Sequence, residues 1–339
     1  MNWLLVTNYC WEAPNPGDEW ARLGVEQILR TVDPAAKFIF RRRDHGREIH
    51  WKPAQFDYAV VCSMPGFWSH GSYSSMATHE SFGPYTTWLS DRKQLFLAGV
   101  GTNFYLNGAW PGTFNVAERI RWRADVDRLL SRCAGVYIRD KLADTTQLFG
   151  VHVRAMPCPS IFAGLGFPAV PVKTRKLCNL MRYGTHYPEN CGSIQVQTWG
   201  SWVKPLAKEL IDRGFVFAAH TNAEMRFARE LGFQNIIPPI SAEVLLREYS
   251  GCRQYFGNRV HGAIVARSFG ADVTCIGMDT RLAAVDMVGG TAYAPAGTSL
   301  DALMHRIRQD GPAAVPEPLE VKYWFDAACA ALRTACPAR

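Results

Sequence analysis

The chain has 339 residues, of which 48% are hydrophobic and 20% are charged, and its formal net charge is +7. This balance is typical of a soluble globular protein with a full core, and the length suits two domains. The densest basic run, residues 41–43, has no interleaved aromatic residues, so nucleic acid is not an expected partner. Because no apolar run approaches the roughly 20 residues that span a bilayer, we expect no transmembrane segment.

Ten cysteines are scattered along the chain without a C-x-x-C pair or a zinc-like spacing. This pattern predicts reduced thiols, no metal site and a cytoplasmic location. The first residues, MNWLLVTNYC, are too short and uncharged for a signal peptide and instead predict a first strand.

Strands and helices are predicted to alternate through the first half of the chain. Residues 3–7 predict a buried strand, and DEWARLGVEQILR predicts a helix that begins near Asp18. Short strands are predicted in FDYAVVCS, QLFLAGVG and GVYIRD, and helices in AERIRWRADVDRLLSRC and KLADTTQLFG. Such repeated β-α units favour a parallel sheet that is covered on both faces.

A segment rich in proline and glycine, residues 156–176, predicts a domain boundary. After it the alternation restarts, with helices predicted in WVKPLAKELIDRG, NAEMRFARELG, AEVLLREYSGC and RVHGAIVARSFG and strands in FVFAAHT, RQYFGN and DVTCIGM. We therefore predict an α/β fold of two Rossmann-like domains that face each other across a cleft, as in GT-B enzymes. The predicted domains are residues 1–165 and 175–320, followed by a last helix, within 321–339, that returns toward the N-terminal domain.

The segment YFGNRVHGAIVARSFGADVTCIGMD carries Asn258, Arg259 and His261 at the start of an otherwise apolar helix. Asn258 is a good N-cap, which places Arg259 and His261 in the first turn, and Gly262 allows close approach. Free backbone N–H groups, the positive end of the helix dipole, a guanidinium and an imidazole together suit a phosphate or carboxylate. The alternative is a buried helix in which Arg259 pairs with a structural acid and His261 is a satisfied core histidine.

The same segment, extended to Arg281, resembles the C-terminal signature of the polysaccharide pyruvyl transferase family, with Val260 in place of the usual leucine. NPGDE, which begins at Asn15, resembles the family's N-terminal Asn-x-Gly-Asp-Glu. The segments LAGVGTNF, GVYIRDKLADTTQLFG and ISAEVLLREYSGCRQYFGNRVHG resemble further family segments in the same order, so the resemblance spans residues 15–286. The sequence departs from the family at two places: SMPGFWSH replaces a glycine-rich turn, and Cys158 replaces the aspartate of a common Asp-Pro pair.

This resemblance implies transfer of a pyruvyl group from phosphoenolpyruvate onto two hydroxyls of one sugar in a glycan or polysaccharide precursor, such as an exopolysaccharide. A cyclic ketal would form and phosphate would leave, without a cofactor or metal. The donor is expected on the side of residues 175–320 and the acceptor on the side of residues 1–165. A lipid-linked saccharide acceptor would add a peripheral membrane contact.

The resemblance and the predicted cleft positions together imply roles for single residues. They are a catalytic role for His261 and Asp18, a donor-binding role for Arg259, Arg139, Asn258, Gly262 and Arg281, and an acceptor-binding role for Asn15, Gly17, Trp68 and His220. The alternatives are structural: a salt bridge from Arg139 to Asp140, an N-cap at Asp18, a solvated Arg281 and packing roles for Trp68 and His220.

Two other functions remain open at the level of sequence. A nucleotide-sugar glycosyltransferase can use the same two-domain scaffold, and fold alone does not separate it from a pyruvyl transferase. A non-catalytic family member that binds a glycan or another anion is the third possibility, because the altered turn from Ser63 to Gly66 lies where donor or acceptor is expected.

Overall fold

The computed structural model describes residues 1–7, 15–42, 55–63, 65–68, 89–92, 94–103, 106, 123–139, 154–167, 170, 172–182, 193–309 and 318–336. These residues form two parallel β-sheets with helices packed against them. The sheets follow each other in sequence, and helices of the two halves meet at the carboxyl ends of the strands.

The first sheet consists, within the described residues, of β1 Asn2–Thr7, β2 Lys37–Arg42, β3 Tyr58–Cys62, β4 Pro65–Trp68, β5 Leu95–Asn103, β6 Gly135–Ile138 and β7 Arg154–Ala155. Its order is β2-β1-β3-β5-β6-β7, and β4 pairs with the end of β5. Apolar runs such as YAVVC and LFLAGV are buried along β3 and β5, as expected of strands covered on both faces. The winding direction reverses between β1 and β3, so their carboxyl ends flank a crevice.

The second sheet consists, within the described residues, of β8 Arg175–Asn179, β9 Val216–Ala218, β10 Ile236–Ile237, β11 Cys252–Gly257, β12 Asp272–Ile276 and β13 Thr291–Tyr293. Its order is β10-β9-β8-β11-β12-β13, which is the order of the doubly wound Rossmann sheet. The winding direction reverses between β8 and β11, whose last residues, Asn179 and Gly257, lie side by side. A ligand crevice is expected at this point of such a sheet.

The described helices are α1 Pro16–Val32, α2 Arg123–Arg132, α3 Ser193–Asp212, α4 Asn222–Glu230, α5 Ala242–Ser250, α6 Val260–Ser268, α7 Leu282–Asp286, α8 Leu300–Arg308 and α9 Pro318–Ala335. Side-chain oxygens of the preceding residue cap the first turn of α1, α4, α5 and α8. Helix α6 differs, because its N-cap residue, Arg259, makes no such bond. It ends before Gly270, whose φ of +81° is the left-handed conformation that favours glycine there.

Helix α1 connects the two halves of the molecule. Its Trp20 is fully buried, donates from Nε1 to the carbonyl oxygen of Ala242 at 2.8 Å, and meets His220 edge-on at 5.1 Å. On the other side, a Cβ atom on Gly24 would lie 1.8 Å from the carbonyl oxygen of Pro159, so only glycine allows this contact. These contacts fix α1 between the start of α5 and the segment at Pro159.

The last helix, α9, packs on the side of the first sheet. Phe325 meets Phe162 edge-on at 5.5 Å, and Nη2 of Arg333 donates to the carbonyl oxygen of Thr31 at 3.4 Å. Buried alanine and leucine side chains of α9 lie with those of α1 in one core cluster. The C-terminal segment therefore stabilises the N-terminal half.

The predicted fold class, an α/β protein with two parallel sheets, is confirmed. The division into domains at residues 165 and 175 stays a prediction, as does the helix over 141–150, which lies outside the described residues. Helix α7 and strand β13 were not predicted, because five and three residues are too few to show a periodic pattern. No described helix has the length and apolar character that crossing a membrane requires.

Candidate functional site

His261, in the first turn of α6, faces residues of the first sheet. Its Nε2 lies 3.3 Å from Nη1 of Arg139, which directly follows β6, and its Nδ1 lies 3.9 Å from Oδ1 of Asp18 in α1. The side chain is 16% exposed. Two segments of the first half and one helix of the second therefore form this site together.

The imidazole of His261 is held in its neutral form. Burial lowers its pKa to about 3, with the Asp18 carboxylate acting in the opposite direction and Arg139, Arg281 and Arg259 adding to the decrease. At neutral pH the ring therefore has one proton, and one nitrogen accepts hydrogen bonds.

Arg139 has no carboxylate partner among the residues that the structure describes. The residue is 1% exposed, and its Nη1 contacts the carbonyl oxygen of Ser63 at 3.3 Å, Oγ of Ser63 at 3.1 Å, Sγ of Cys158 at 4.0 Å and the ring of His261. Its Nε has no hydrogen-bond partner. A buried charge without a counter-charge costs on the order of several kcal/mol, so this site is suited to receive an anion. Asp140, the alternative partner, lies outside the described residues.

Neutral atoms line the guanidinium of Arg139. Ser63 follows β3 with a φ of +37°, a left-handed conformation that is uncommon outside glycine, and both of its oxygens accept from the arginine. Sγ of Cys158 lies 2.9 Å from Oγ of Ser63 and 3.2 Å from Oγ of Ser160. Cys158 stands where the resembled family commonly has aspartate, so in this chain a thiol lies near Arg139 at that position. These two departures from the family pattern were the only sequence signals for Ser63 and Cys158.

The first turn of α1 forms the wall opposite His261. Oδ1 of Asn15 accepts from the backbone N–H of Gly17 at 3.2 Å, and its Nδ2 donates to Oδ2 of Asp18 at 2.8 Å, so Asn15 rather than Asp18 is the N-cap. A Cβ atom on Gly17 would lie 2.5 Å from Nδ1 of His261. Glycine at this position therefore lets the imidazole approach the helix.

Arg259 forms an ion pair with Glu224. Its Nε donates to Oε1 of Glu224 at 2.6 Å, and its Nη2 contacts the same oxygen. Glu224 is 4% exposed and also accepts from Nδ2 of Asn179 and from the backbone N–H of His220, both at 2.8 Å. Burial alone would raise the pKa of Glu224, but Arg259 and the other donors outweigh it and hold that pKa below its ordinary value. Arg259 thus pairs with a buried acid, as in the structural alternative that the sequence left open.

Glu224 was not predicted as a site residue, although its sequence carries a signal. It lies three residues after Thr221, whose Oγ1 accepts from the Glu224 backbone N–H at 3.2 Å, as in a capping box. The pattern identifies a helix start but does not show that the glutamate also holds Arg259, which is 35 residues away.

The predicted N-cap at Asn258 is wrong. Asn258 is 5% exposed; its Oδ1 accepts from the backbone N–H of Met181 at 3.0 Å, and its Nδ2 donates to the carbonyl oxygen of Ile276 at 2.9 Å. The side chain is used to join segments that follow β8 and β12, because a buried amide must satisfy both its oxygen and its nitrogen. Both polar atoms of the Asn258 side chain are therefore occupied by backbone groups of the protein.

The donor contact predicted at Gly262 stays a prediction. A Cβ atom at this position would lie 2.8 Å from Oη of Tyr255 and 2.9 Å from Oη of Tyr249. Gly262 therefore makes room for two buried tyrosine hydroxyls.

The structure shows the partners of two further residues that were predicted at the cleft, and the donor-binding role of Arg281 stays a prediction. His220 is 1% exposed, its Nε2 lies 3.0 Å from Oη of Tyr249, and burial lowers its pKa to about 3, so it does not face an acceptor. Arg281 is not simply solvated, because its Nε and Nη2 donate to the carboxylate of Asp279 at 2.8 and 2.6 Å. Its charge is therefore compensated locally, unlike that of Arg139.

Trp68 is the last residue of β4 and pairs with Asn103 of β5. The acceptor-binding role of Trp68 stays a prediction. Within the described part of the chain, no group of three or more His, Cys, Asp or Glu side chains is placed to hold a metal ion. Independence from metal stays a prediction.

A family model described as polysaccharide pyruvyl transferase matches residues 15–280, which include Asn15, Arg139 and His261. The chain belongs to the polysaccharide pyruvyl transferase family. The match contains the segments that resembled this family in sequence, except that it ends one residue before Arg281. No match was found among curated proteins.

Solved structures similar to this polysaccharide pyruvyl transferase family member share its fold at low identity. The UDP-GlcNAc 2-epimerase of Methanocaldococcus jannaschii, in complex with UDP-GlcNAc and UDP, has a TM-score of 0.55 and 10% identity over 98% of this chain and 99% of that chain. The enzyme of Neisseria meningitidis bound to UDP-GlcNAc has a TM-score of 0.50 and 12% identity over 99% of both chains. At these identities the likeness shows a GT-B-like fold alone.

Proposed function

We propose that this protein transfers a pyruvyl group from phosphoenolpyruvate onto two hydroxyls of one sugar, forming a cyclic ketal and releasing phosphate. The observation that carries the proposal is the buried guanidinium of Arg139, which contacts His261 and has no carboxylate partner among the described residues. A donor with a carboxylate and a phosphate supplies the missing negative charge. Membership of the polysaccharide pyruvyl transferase family supports a transferase acting on a glycan precursor.

The donor binds first to Arg139 in this proposal, and Arg259 has a secondary role. The charge of Arg259 is already balanced by Glu224, and that of Arg281 by Asp279. A new anion gains most from the cation whose own charge is uncompensated, because the desolvation of that cation has already occurred in the folded protein. From sequence alone, Arg259 was expected to be the main donor-binding arginine, and the structure favours Arg139 instead.

His261 is the proposed general acid and base. It protonates the methylene carbon of the enol, and the resulting cationic carbon is attacked by the two sugar hydroxyls. The first hydroxyl adds to this carbon and its proton returns to His261; the bond from the carbon to the phosphate oxygen then breaks, the second hydroxyl adds to the cation that forms, and its proton leaves with phosphate, so atoms and charges balance. Asp18, 3.9 Å from Nδ1, stabilises the charged ring while it holds two protons.

The acceptor is proposed to approach from the side of the first sheet. Asn15 and Gly17 form the start of α1 beside His261, and Trp68 ends β4 of the same sheet. A glycan or a lipid-linked saccharide fits the family, and a lipid-linked one would bring the protein to a membrane surface without a spanning helix. The proposed chemistry needs no cofactor or metal, because it transfers protons and a carbon group without a redox step.

The test combines phosphate release with the mass of the product. Purified protein is incubated with phosphoenolpyruvate and a panel of glycans and lipid-linked saccharides, and each sugar is examined for the mass of one added pyruvyl ketal. Phosphate release together with that mass supports the proposal. Transfer of a sugar from a nucleotide sugar would refute it and identify a glycosyltransferase.

Ligand-induced stabilisation separates the three candidate functions before an acceptor is known. A ligand that binds only the folded protein raises its melting temperature. Phosphoenolpyruvate is expected to stabilise the wild type and the exposed-histidine control His305→Gln, but not Arg139→Met. Stabilisation by nucleotide sugars alone would contradict the proposal, and binding of a glycan without any donor effect would indicate a non-catalytic member.

A further inference from the structure

The contact between Arg139 and His261 determines which nitrogen of the histidine carries the proton. Nη1 of Arg139 lies 3.3 Å from Nε2 of His261. A guanidinium has only donors and stays charged, so Nε2 must be the acceptor. The proton of the neutral ring is therefore on Nδ1, which faces Oδ1 of Asp18 at 3.9 Å.

In this state His261 has no proton on the nitrogen that faces Arg139. A second proton on Nε2 would direct an N–H of a charged ring at an N–H of a charged guanidinium in a buried site, which is unfavourable. The described charged groups that act on the pKa of the ring are Asp18 from α1, Arg139 after β6, Arg281 after β12 and Arg259 at the start of α6. Two of these arginines have carboxylate partners, Asp279 and Glu224, whereas Arg139 has none within the part of the chain that the structure describes.

The geometry points to Arg139 as a switch that loads the catalytic proton onto His261 only when the donor is bound. The inference rests on the proposed function and adds a role for Arg139 as a positioning residue. When a donor oxygen takes the hydrogen bond of Nη1, that bond to Nε2 is lost and the lone pair of Nε2 is released. A proton from solvent then binds to this lone pair, and His261 becomes the imidazolium that protonates the donor's methylene carbon.

Electrostatics act in the same direction as geometry. The donor's carboxylate and phosphate bring several negative charges next to a ring whose pKa is held near 3 by burial, with nearby arginines contributing. Negative charge beside a histidine raises its pKa. In the free protein His261 is thus neutral and cannot act as an acid. The methylene group is protonated only when the donor, with its phosphate leaving group, is already bound.

Proton uptake on donor binding tests this switch directly. Phosphoenolpyruvate is titrated into the full-length protein by calorimetry at about pH 7.5, where its phosphate is almost fully ionised, in buffers with different ionisation enthalpies and without acceptor. The wild type is expected to take up about one proton per donor, and His261→Gln to bind the donor with no uptake at this site. Equal uptake by both proteins would overturn the inference.

A second measurement does not depend on the folding of a variant. In wild-type protein with ¹⁵N-labelled histidine, NMR is expected to show a neutral His261 with the proton on Nδ1 in the free state and a doubly protonated ring after addition of phosphoenolpyruvate. A ring already charged in the free protein, or one that stays neutral with donor bound, overturns the switch while leaving the proposed reaction intact. Failure of the wild type to bind phosphoenolpyruvate at all overturns the proposed function and the switch together.

Discussion

Replacing Arg139 with methionine is expected to stabilise the free protein while it weakens donor binding. The side chain is 1% exposed, and its guanidinium has no described carboxylate partner. Removal of the charge abolishes a desolvation cost of several kcal/mol and gives up the hydrogen bonds to Ser63, at about 1 kcal/mol each. The expected net change is an increase of about 1–3 kcal/mol in the free energy of unfolding.

Arg259→Met is the matched control for this prediction. Arg259 also lies beside His261, but it is paired with Glu224, which is 4% exposed. Its loss leaves a buried carboxylate without its cation, and breaking such a pair costs about 3–5 kcal/mol. The two arginine variants are therefore expected to change stability in opposite directions.

Urea unfolding in phosphate-free buffer measures both effects. Without ligand, the midpoint should rise for Arg139→Met and fall for Arg259→Met. Phosphoenolpyruvate should raise the midpoint of the wild type. It should raise that of Arg139→Met much less, because this variant is expected to bind the donor about 2–4 kcal/mol more weakly, which is roughly 30- to 1,000-fold. A loss of stability above about 2 kcal/mol in Arg139→Met would show that its charge is compensated and refute the reasoning.

Four other expectations are open to direct measurement. His261→Gln should lower kcat about 100-fold or more with less change in donor affinity, because proton transfer acts in the transition state; near-normal steady-state turnover would shift the acid to another group, with Asp18 next. The pKa values of His261 and His220 lie near 3 in the folded protein against an ordinary 6.5, so the unfolded state binds more protons between these values and stability falls as pH decreases through that window. His261→Gln should reduce the slope of unfolding free energy against pH by about 1.4 kcal/mol per unit, and exposed His305→Gln should leave it unchanged; equal slopes would contradict the assignment. Gly17→Ala should cost about 1–3 kcal/mol in denaturant unfolding and lower kcat, because its Cβ meets Nδ1 of His261 at 2.5 Å, whereas Gly200→Ala in α3, with nothing within 4 Å, should not destabilise. EDTA should leave activity unchanged, and loss that a divalent ion restores would contradict the proposed chemistry.

Local sequence determined most of the elements that build the fold. Apolar runs such as YAVVC and LFLAGV became β3 and β5, and the Asn15 cap with acidic residues after it began α1. These signals act between residues close in the chain, through side-chain alternation, capping and turn chemistry, so they can be read without knowing the fold. His261 and Asp18 could also be chosen as candidate site residues from sequence, because each lies at the start of a helix that follows a strand.

Only the tertiary structure decided which charges are compensated. In sequence, Arg139, Arg259 and Arg281 are three cations at expected cleft positions, and the sequence does not show which of them has a carboxylate partner. In the folded protein Glu224 pairs with Arg259, and Asp279 pairs with Arg281. Arg139 instead contacts Ser63, Cys158 and a histidine that is 122 residues away in sequence. The energy of a buried charge depends on the atoms within a few ångströms of it, and those atoms come from distant segments that only packing of the two halves brings together.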